Sequence, residues 1–181
     1  MKLSVKTVVA IGIGAALFFV LGRFVAIPSG IPDTNISIQY GVLAFIAGVF
    51  GPIAGLLVGL IGHFFIDFSW GWGVWWSWVI ASACFGTIMG FVARKLSVND
   101  GKFEKKDIVL FNVAQIVGHL LAWVVIAPIL DIVMYAEPAN KVFLQGLVSA
   151  GINIVATAII GTLLCIVYAK TIPQKDSLKA E

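Results

Sequence analysis

The sequence predicts an all-α integral membrane protein with six transmembrane helices, from its hydropathy, the length of its apolar runs and the placement of its charges. Of its 181 residues, 60% are hydrophobic and 12% are charged, and the mean hydropathy is +1.04. Apolar runs long enough to cross a bilayer recur from one end of the chain to the other. We therefore expect one transmembrane domain over residues 1–181 and no appended soluble domain.

The formal net charge of +3 does not indicate nucleic-acid binding, because membrane orientation accounts for Lys and Arg residues at helix ends. Cys84 and Cys165 lie inside separate apolar runs without ligand-like spacing, so we expect inert thiols and no metal site. The apolar run after Lys2 and Lys6 resembles a signal peptide. However, Arg23 stands where a cleavage site needs small residues, so we expect a retained first helix.

The first helix is expected over residues 4–22. Its small residues pair at a spacing of four, Ala10 with Gly14 and Gly12 with Ala16. This spacing lets another helix approach closely, and helix association in lipid depends on such packing. The approaching helix belongs either to a second protein or to the chain itself, and the spacing alone leaves both open.

Residues 23–37 contain prolines and a glycine that end the first helix, so they form a loop outside the membrane. Such a loop could fold over a site. An apolar tract follows over residues 38–68, interrupted by Gly51 and Pro52. Hydrophobic periodicity leaves two interpretations of this tract, one kinked helix or a hairpin of two helices.

The distribution of basic residues favours the hairpin. With a hairpin, the chain crosses the membrane four times before the basic segment 93–106. Helices over residues 107–128 and 140–168 then bring the number of crossings to six. In this arrangement all of the 12 Lys and Arg residues except Arg23 and Lys141 share a face with both chain ends. The positive-inside rule therefore predicts six helices with both termini in the cytoplasm, in a bacterial cytoplasmic membrane.

Residues 23–37, 67–76 and 130–141 then share the outer face, and the second of these lies in a tryptophan-rich stretch. Five tryptophans occur within nine positions there, interleaved with glycine: Trp70, Trp72, Trp75, Trp76 and Trp78. One or two would suffice to anchor a helix at the interface. The density, with Asp67 and His63 one and two turns earlier, indicates the wall of a site for a flat or bulky ligand. An aromatic belt without a ligand is the alternative.

Polar residues inside apolar spans are costly unless they are paired or face a cavity, so each is a candidate for function. Gln39, His119 and Asn153 belong to this group, with interhelical hydrogen bonding as the plainer explanation. His63 lies one turn before Asp67, which raises the alternative of an intramembrane enzyme. No third partner completes a catalytic triad and no hydrolase motif is present, so we expect no catalytic residues. A channel is also disfavoured, because no filter-like repeat occurs.

Four stretches resemble the substrate-binding subunits, or S components, of energy-coupling factor (ECF) vitamin importers. The resemblance is strongest to the riboflavin-type S components, a group also associated with cobalamin uptake, and it covers nearly the whole chain. The stretches are KTVVAIGIGAALFFVLGRFVAIP (6–28), VFGPIAGLLVGLIGH (49–63), WWSWVIAS (75–82) and APILDIVMYAEPANKVF (127–143).

The resemblance implies a six-helix subunit that captures a vitamin outside, through the loops between helices 1 and 2, 3 and 4, and 5 and 6. Such a subunit then topples in the membrane while docked on a transmembrane coupling (T) subunit driven by two ABC-type ATPase subunits. The family's docking surface on helix 1 maps onto Ala10 and Gly14, with Gly12 and Ala16 as an extension of it. The chain lacks a nucleotide motif, so ATP and Mg are expected at the partner ATPases and no cofactor in this chain.

The expected substrate-binding residues lie in the outer loops or at polar positions in the adjoining helices. They are Arg23, Asn35, Gln39, His63, Asp67, Trp70, Trp72, Trp75, Trp76, His119, Tyr135 and Asn153. Glycines at the rim and a brief loop over residues 138–141 favour a wide, shallow bowl. Cobalamin is therefore the preferred vitamin, and a riboflavin-specific S component is the alternative.

Overall fold

A computed structural model describes residues 3–30, 34–71 and 73–173. Within these ranges the chain forms six main helices, two short 3₁₀ helices (Ala93–Lys95 and Val98–Asp100) and one two-stranded antiparallel sheet. Five of the main helices are long and apolar enough to cross a membrane. The predicted all-α membrane class is confirmed. The elements are α1 Val5–Phe24, β1 Ile27–Pro28, β2 Asn35–Ile36, α2 Gln39–Phe50, α3 Pro52–Trp70, α4 Trp76–Val92, α5 Lys105–Tyr135 and α6 Ala139–Thr171.

Helix α1 begins after Ser4, whose side-chain oxygen accepts the backbone N–H of Thr7 at 3.1 Å and caps the first turn. The loop after α1 is more ordered than predicted, because Ile27 pairs with Ile36 across β1 and β2. Strands of two residues are too short to show an alternating pattern, so the sequence predicted only an irregular loop.

The apolar tract is a hairpin of two helices. Gly51 has a φ of 89°, which favours glycine, and Pro52 occupies the first turn of α3. Tyr40 near the start of α2 and His63 near the end of α3 both contact Ser82, so the two helices run in opposite directions. The 12 residues of α2 span about 18 Å, which is less than the roughly 30 Å of a hydrocarbon core.

Helices α3 and α4 pack with their backbones in contact. A Cβ added to Gly55 would collide with the carbonyl oxygen of Gly86, and the reverse is also true. Gly59 approaches the carbonyl oxygen of Ser82 in the same way. Small residues four apart on α3 therefore allow a close helix contact, as expected where association depends on packing.

The four residues predicted to form a docking face on α1 divide between a buried and an exposed side of the helix. Ala10 and Gly14 are buried, and a Cβ on Gly14 would lie 3.0 Å from Cγ2 of Val58 in α3. These two small residues serve internal packing, which is the alternative that their spacing left open. Gly12 and Ala16 are exposed, and a Cβ on Gly12 would meet no atom within 4 Å.

Helices α5 and α6 are both longer than predicted, and each contains a π-helical segment, over Leu120–Ile126 and Thr157–Gly161. Pro128 was expected to end α5. It instead follows the π-helical segment at the start of a new α-helical stretch, where its missing N–H is tolerated. Helix α5 ends at Tyr135, and the capping residue Ala136 adopts a left-handed φ of 56°.

Candidate functional site

A cavity of about 720 Å³ lies at one end of the bundle. Its walls come from the carboxyl-terminal parts of α1, α3 and α5 and the amino-terminal parts of α2, α4 and α6, with the β1–β2 hairpin at the rim. These ends meet on one side because successive helices alternate in direction. The cavity therefore adjoins the three segments that the sequence predicted on the outer face.

The cavity contains some but not all of the residues predicted to bind a vitamin. Those that line it are Asn35, Gln39, His63, Asp67, Trp70, Trp75 and Asn153. Those that do not line it are Arg23, Trp76, His119 and Tyr135. The prediction for Trp72 lies outside the described residues.

Aromatic rings form one wall of the cavity. Trp78 and Trp123 stack on each other, with ring centroids 5.6 Å apart and an interplanar angle of 20°, and both line the cavity beside Trp75. Neither Trp78 nor Trp123 was among the predicted binding residues. Trp123 lies within a long apolar run, where a single tryptophan carries no signal that separates a cavity wall from ordinary core.

Asp131 holds this aromatic wall together. Its carboxylate is 1% exposed and accepts the indole N–H of Trp75 at 2.6 Å and that of Trp78 at 2.7 Å. The hydroxyl of Ser77 donates to the same carboxylate. An ionised carboxylate only accepts hydrogen bonds, so three donors suit it. Asp131 was not among the predicted site residues, although an acid in an apolar run requires partners or a cavity.

The loop between α3 and α4 is fastened on both sides. Asp67 accepts the backbone N–H of Trp75 at 2.9 Å, and the Tyr135 hydroxyl accepts that of Trp76 at 3.0 Å. The Tyr135 ring lies 4.5 Å from the Trp75 ring, while the Trp76 ring packs against Phe64. Tyr135 and Trp76 therefore brace the cavity wall from behind, which is why they do not line it as predicted.

Arg23 acts on the cavity through Trp70. Its guanidinium carbon lies 3.8 Å from the centroid of the Trp70 ring, a cation–π contact between the ends of α1 and α3. Trp70 lines the cavity and Arg23 does not. The predicted contact between Arg23 and the ligand is therefore replaced by a contact that orients a lining residue.

His119 lies behind Trp123, contrary to the prediction that it contacts the ligand. Its Nδ1 accepts the indole N–H of Trp123 at 2.9 Å, and its Nε2 lies 3.0 Å from the Thr157 hydroxyl. Because Nδ1 accepts, the ring proton sits on Nε2 and is donated to Thr157. Interhelical hydrogen bonding, the plainer explanation, accounts for this histidine.

Ser82 is the third partner that the sequence did not reveal beside His63 and Asp67. Its oxygen lies 2.5 Å from His63 Nδ1 and 2.9 Å from the Tyr40 hydroxyl, and His63 Nε2 is 3.6 Å from Asp67. Ser82 is fully buried and does not line the cavity, so no substrate reaches its oxygen. The arrangement lacks the exposed nucleophile that a hydrolase requires. Residues 3–30, 34–71 and 73–173 contain no cluster of three metal-ligating side chains.

Two buried amides face the cavity without a hydrogen-bond partner in the described structure. Gln39 is 7% exposed and Asn153 is 4% exposed, and both side chains line the cavity. The side-chain oxygen of Gln39 is a buried acceptor that no donor satisfies. Leaving such a group unpaired costs about 1–3 kcal/mol. These amides are the polar groups best placed to bond a ligand.

Comparison with known proteins shows one family along almost the whole chain. A family model described as "ECF-type riboflavin transporter, S component" matches residues 2–170. UPF0397 proteins of Staphylococcus aureus strains Newman and JH9 are each 51% identical over 179 residues, covering 99% of this chain and 97% of theirs. The crystal structure of the S-component for biotin from an ECF-type ABC transporter aligns with a TM-score of 0.62 at 16% identity. That alignment covers 92% of this chain and 90% of the other, and it supports the fold alone.

Proposed function

This chain belongs to the ECF-type riboflavin transporter S component family, and on that premise we propose that it is the substrate-specific subunit of an ATP-driven vitamin uptake transporter. The observation that carries the proposal is the cavity of about 720 Å³, walled by tryptophans and containing unpaired buried amides. Pockets that combine apolar walls with a few placed polar groups are typical of small-molecule sites.

The cavity opens toward the outside of a bacterial cytoplasmic membrane. This orientation requires α2 to count as a crossing, so that six helices bring both termini to the cytoplasm. The alternating direction of the helices supports it, as does the excess of Lys and Arg at the end opposite the cavity. Helix α2 alone is too short to cross the hydrocarbon core, and the five helices that are long enough surround it within the bundle.

The cavity volume supports a vitamin of riboflavin's size over intact cobalamin. Pockets of about 300–1,000 Å³ bury most of a drug-sized ligand. A tricyclic flavin fits within this volume, whereas cobalamin is several times heavier and would leave most of its surface outside. The proposal thus reverses the preference for cobalamin that the rim glycines and the short loop suggested.

Stacking and amide hydrogen bonds together account for binding. A flat ring lies against Trp75 and Trp78, whose indoles Asp131 holds in place, so little side-chain entropy is lost when the ligand arrives. The edge of the ring meets Gln39 and Asn153, each of which offers a donor and an acceptor.

Delivery requires partners. We propose a transmembrane coupling (T) subunit and two ABC-type ATPase subunits, which bind ATP and Mg, while this chain topples with its vitamin. The docking face is the exposed side of α1 around Gly12 and Ala16, where Val9 and Ile13 are also exposed. Small exposed residues let a partner helix approach closely. An enzyme that uses His63 and Asp67 gains no support, because the family is one of transporter subunits and Ser82 is buried.

Calorimetric titration of the purified chain with riboflavin and with cyanocobalamin tests the proposal. We expect riboflavin to bind, and Trp78→Ala to weaken binding by at least about 0.5–1.5 kcal/mol through lost stacking. Trp76→Ala is the matched control, since its ring lies outside the cavity. Tight binding of cyanocobalamin with no response to riboflavin would contradict the proposed ligand size. Equal losses in both variants would contradict the proposed site.

A further inference from the structure

The charges that line the cavity do not balance. Asp67, Asp131 and Glu137 line it, and Lys141 is the lysine among the lining residues. Lys141 lies 3.0 Å from Glu137, so these two charges offset each other. Neither Asp67 nor Asp131 has a Lys or Arg ion pair within the described ranges, and the lining residues include no arginine.

Hydrogen bonds hold both aspartates as acceptors. Asp131 accepts two indole N–H groups and one hydroxyl, and Asp67 accepts the backbone N–H of Trp75. Neither carboxylate donates in any of these bonds, and each presents acceptor oxygens at the cavity. Charges inside a cavity with apolar walls are screened less than charges in water, so both aspartates act on a bound ligand.

Gln39 is an independent observation that indicates what the ligand must bring. Gln39 lines the cavity, and its buried side-chain oxygen lacks a donor in the described structure. A hydrogen-bond donor on the ligand would satisfy it, whereas a carbonyl, carboxylate or phosphate oxygen would not. The buried acceptor and the two aspartates therefore favour the same kind of partner, one that is rich in donors and carries no negative charge.

We propose that the site accepts vitamins in neutral or cationic form, with a hydrogen-bond donor (N–H, NH₂ or O–H) for Gln39, and excludes forms that carry a phosphate or carboxylate. This inference rests on the proposed function and specifies its substrate class. A phosphate adds about −1.5 to −2 charges at pH 7, and it would enter a cavity that already holds two unbalanced carboxylates.

Matched pairs that differ by one phosphate test this selectivity. The probes are riboflavin with riboflavin 5′-phosphate and thiamin with thiamin monophosphate, each titrated into the purified chain by calorimetry. In any pair that binds, we expect the phosphorylated form to bind about tenfold more weakly or worse, as like-charge juxtaposition predicts. Asp67→Asn keeps an acceptor for the N–H of Trp75 and should narrow this difference. Asp100→Asn removes one carboxylate from the exposed segment before α5, outside the cavity. It should leave the difference in affinity between the two forms unchanged.

Each outcome decides the inference. Equal or tighter binding of a phosphorylated form would overturn it, and so would Asp67→Asn and Asp100→Asn behaving alike. If none of the four probes binds, mass spectrometry of the molecule that co-purifies with the chain decides. A neutral or cationic molecule supports the inference, and one that carries phosphate or carboxylate overturns it while sparing the proposed function. The absence of any bound molecule would overturn the proposed function and, with it, this inference.

Discussion

The indole N–H of Trp75 donates to the buried carboxylate of Asp131 at 2.6 Å, and this bond joins the loop before α4 to the last turns of α5. The two residues are 56 positions apart in sequence, so the contact exists only in the folded protein. It fixes an aromatic ring against the cavity and leaves that ring little freedom to lose on binding.

Removal of the Asp131 carboxylate should therefore damage both stability and binding. Asp131→Ala leaves two indole N–H groups and one hydroxyl without their acceptor, and we expect it to cost about 2–5 kcal/mol. Thermal denaturation in detergent, followed by tryptophan emission, measures the loss. Asp100→Ala on the exposed loop before α5 is the control. Equal melting temperatures for the two variants would show that Asp131 does not organise the wall.

The contact between α3 and α4 predicts a difference between two glycines. Gly55→Ala places a methyl group against the carbonyl of Gly86 and should destabilise the fold by about 1–3 kcal/mol or more. Gly12→Ala meets open space and should be neutral or stabilising by up to about 1 kcal/mol, because alanine favours helices. Thermal denaturation of both variants is the measurement. A stable Gly55→Ala protein would mean that the two backbones are farther apart than described.

Single cysteines test the proposed orientation in a background in which Cys84 and Cys165 are replaced. Ile27 is 61% exposed on β1, and Lys102 is exposed on the loop before α5. In intact cells a membrane-impermeant thiol reagent should label Ile27→Cys and leave Lys102→Cys unlabelled until the cells are permeabilised. The reverse pattern would place the cavity on the cytoplasmic side and contradict capture from outside.

The docking face predicts a variant that binds but does not transport. Gly12→Leu combined with Ala16→Leu adds bulk on the exposed side of α1, so it should prevent close approach of the coupling subunit and abolish uptake. Ligand binding by the purified chain should stay within about twofold, because both residues lie outside the cavity. Gly151→Leu adds the same side chain at an open position on α6 and should leave uptake intact. Normal uptake by the double variant would exclude this face.

Hydropathy and charge were sufficient to predict the helical membrane class and the hairpin at Gly51, because both follow from composition and from one local break. The clustering of Asp67, Trp70 and Trp75 around the cavity was also predictable, since these residues lie within nine positions of one another. The π-helical segments were not predicted. Their wider turns depend on how α5 and α6 pack rather than on a local pattern.

Contacts between residues far apart in the sequence were also not predicted. Nothing near Asp131 in sequence indicates that its partners are Trp75 and Trp78, and nothing near Ser82 indicates Tyr40 or His63. On α1, spacing could not distinguish Gly14, which faces the protein, from Gly12, which faces outward, because all of the surrounding residues are apolar. A helix that is hydrophobic all round hides which of its faces is buried.

Native mass spectrometry of the chain purified from membranes tests the central claim most directly, that the cavity holds a small vitamin. Ser149 lines the cavity, and Ser149→Trp should fill part of it without touching the docking face of α1. We predict that the unmodified chain retains a stoichiometric small molecule of a few hundred daltons, consistent with the cavity volume, and that Ser149→Trp loses it. The same molecule retained by both proteins, or none retained by the unmodified chain, would contradict the account.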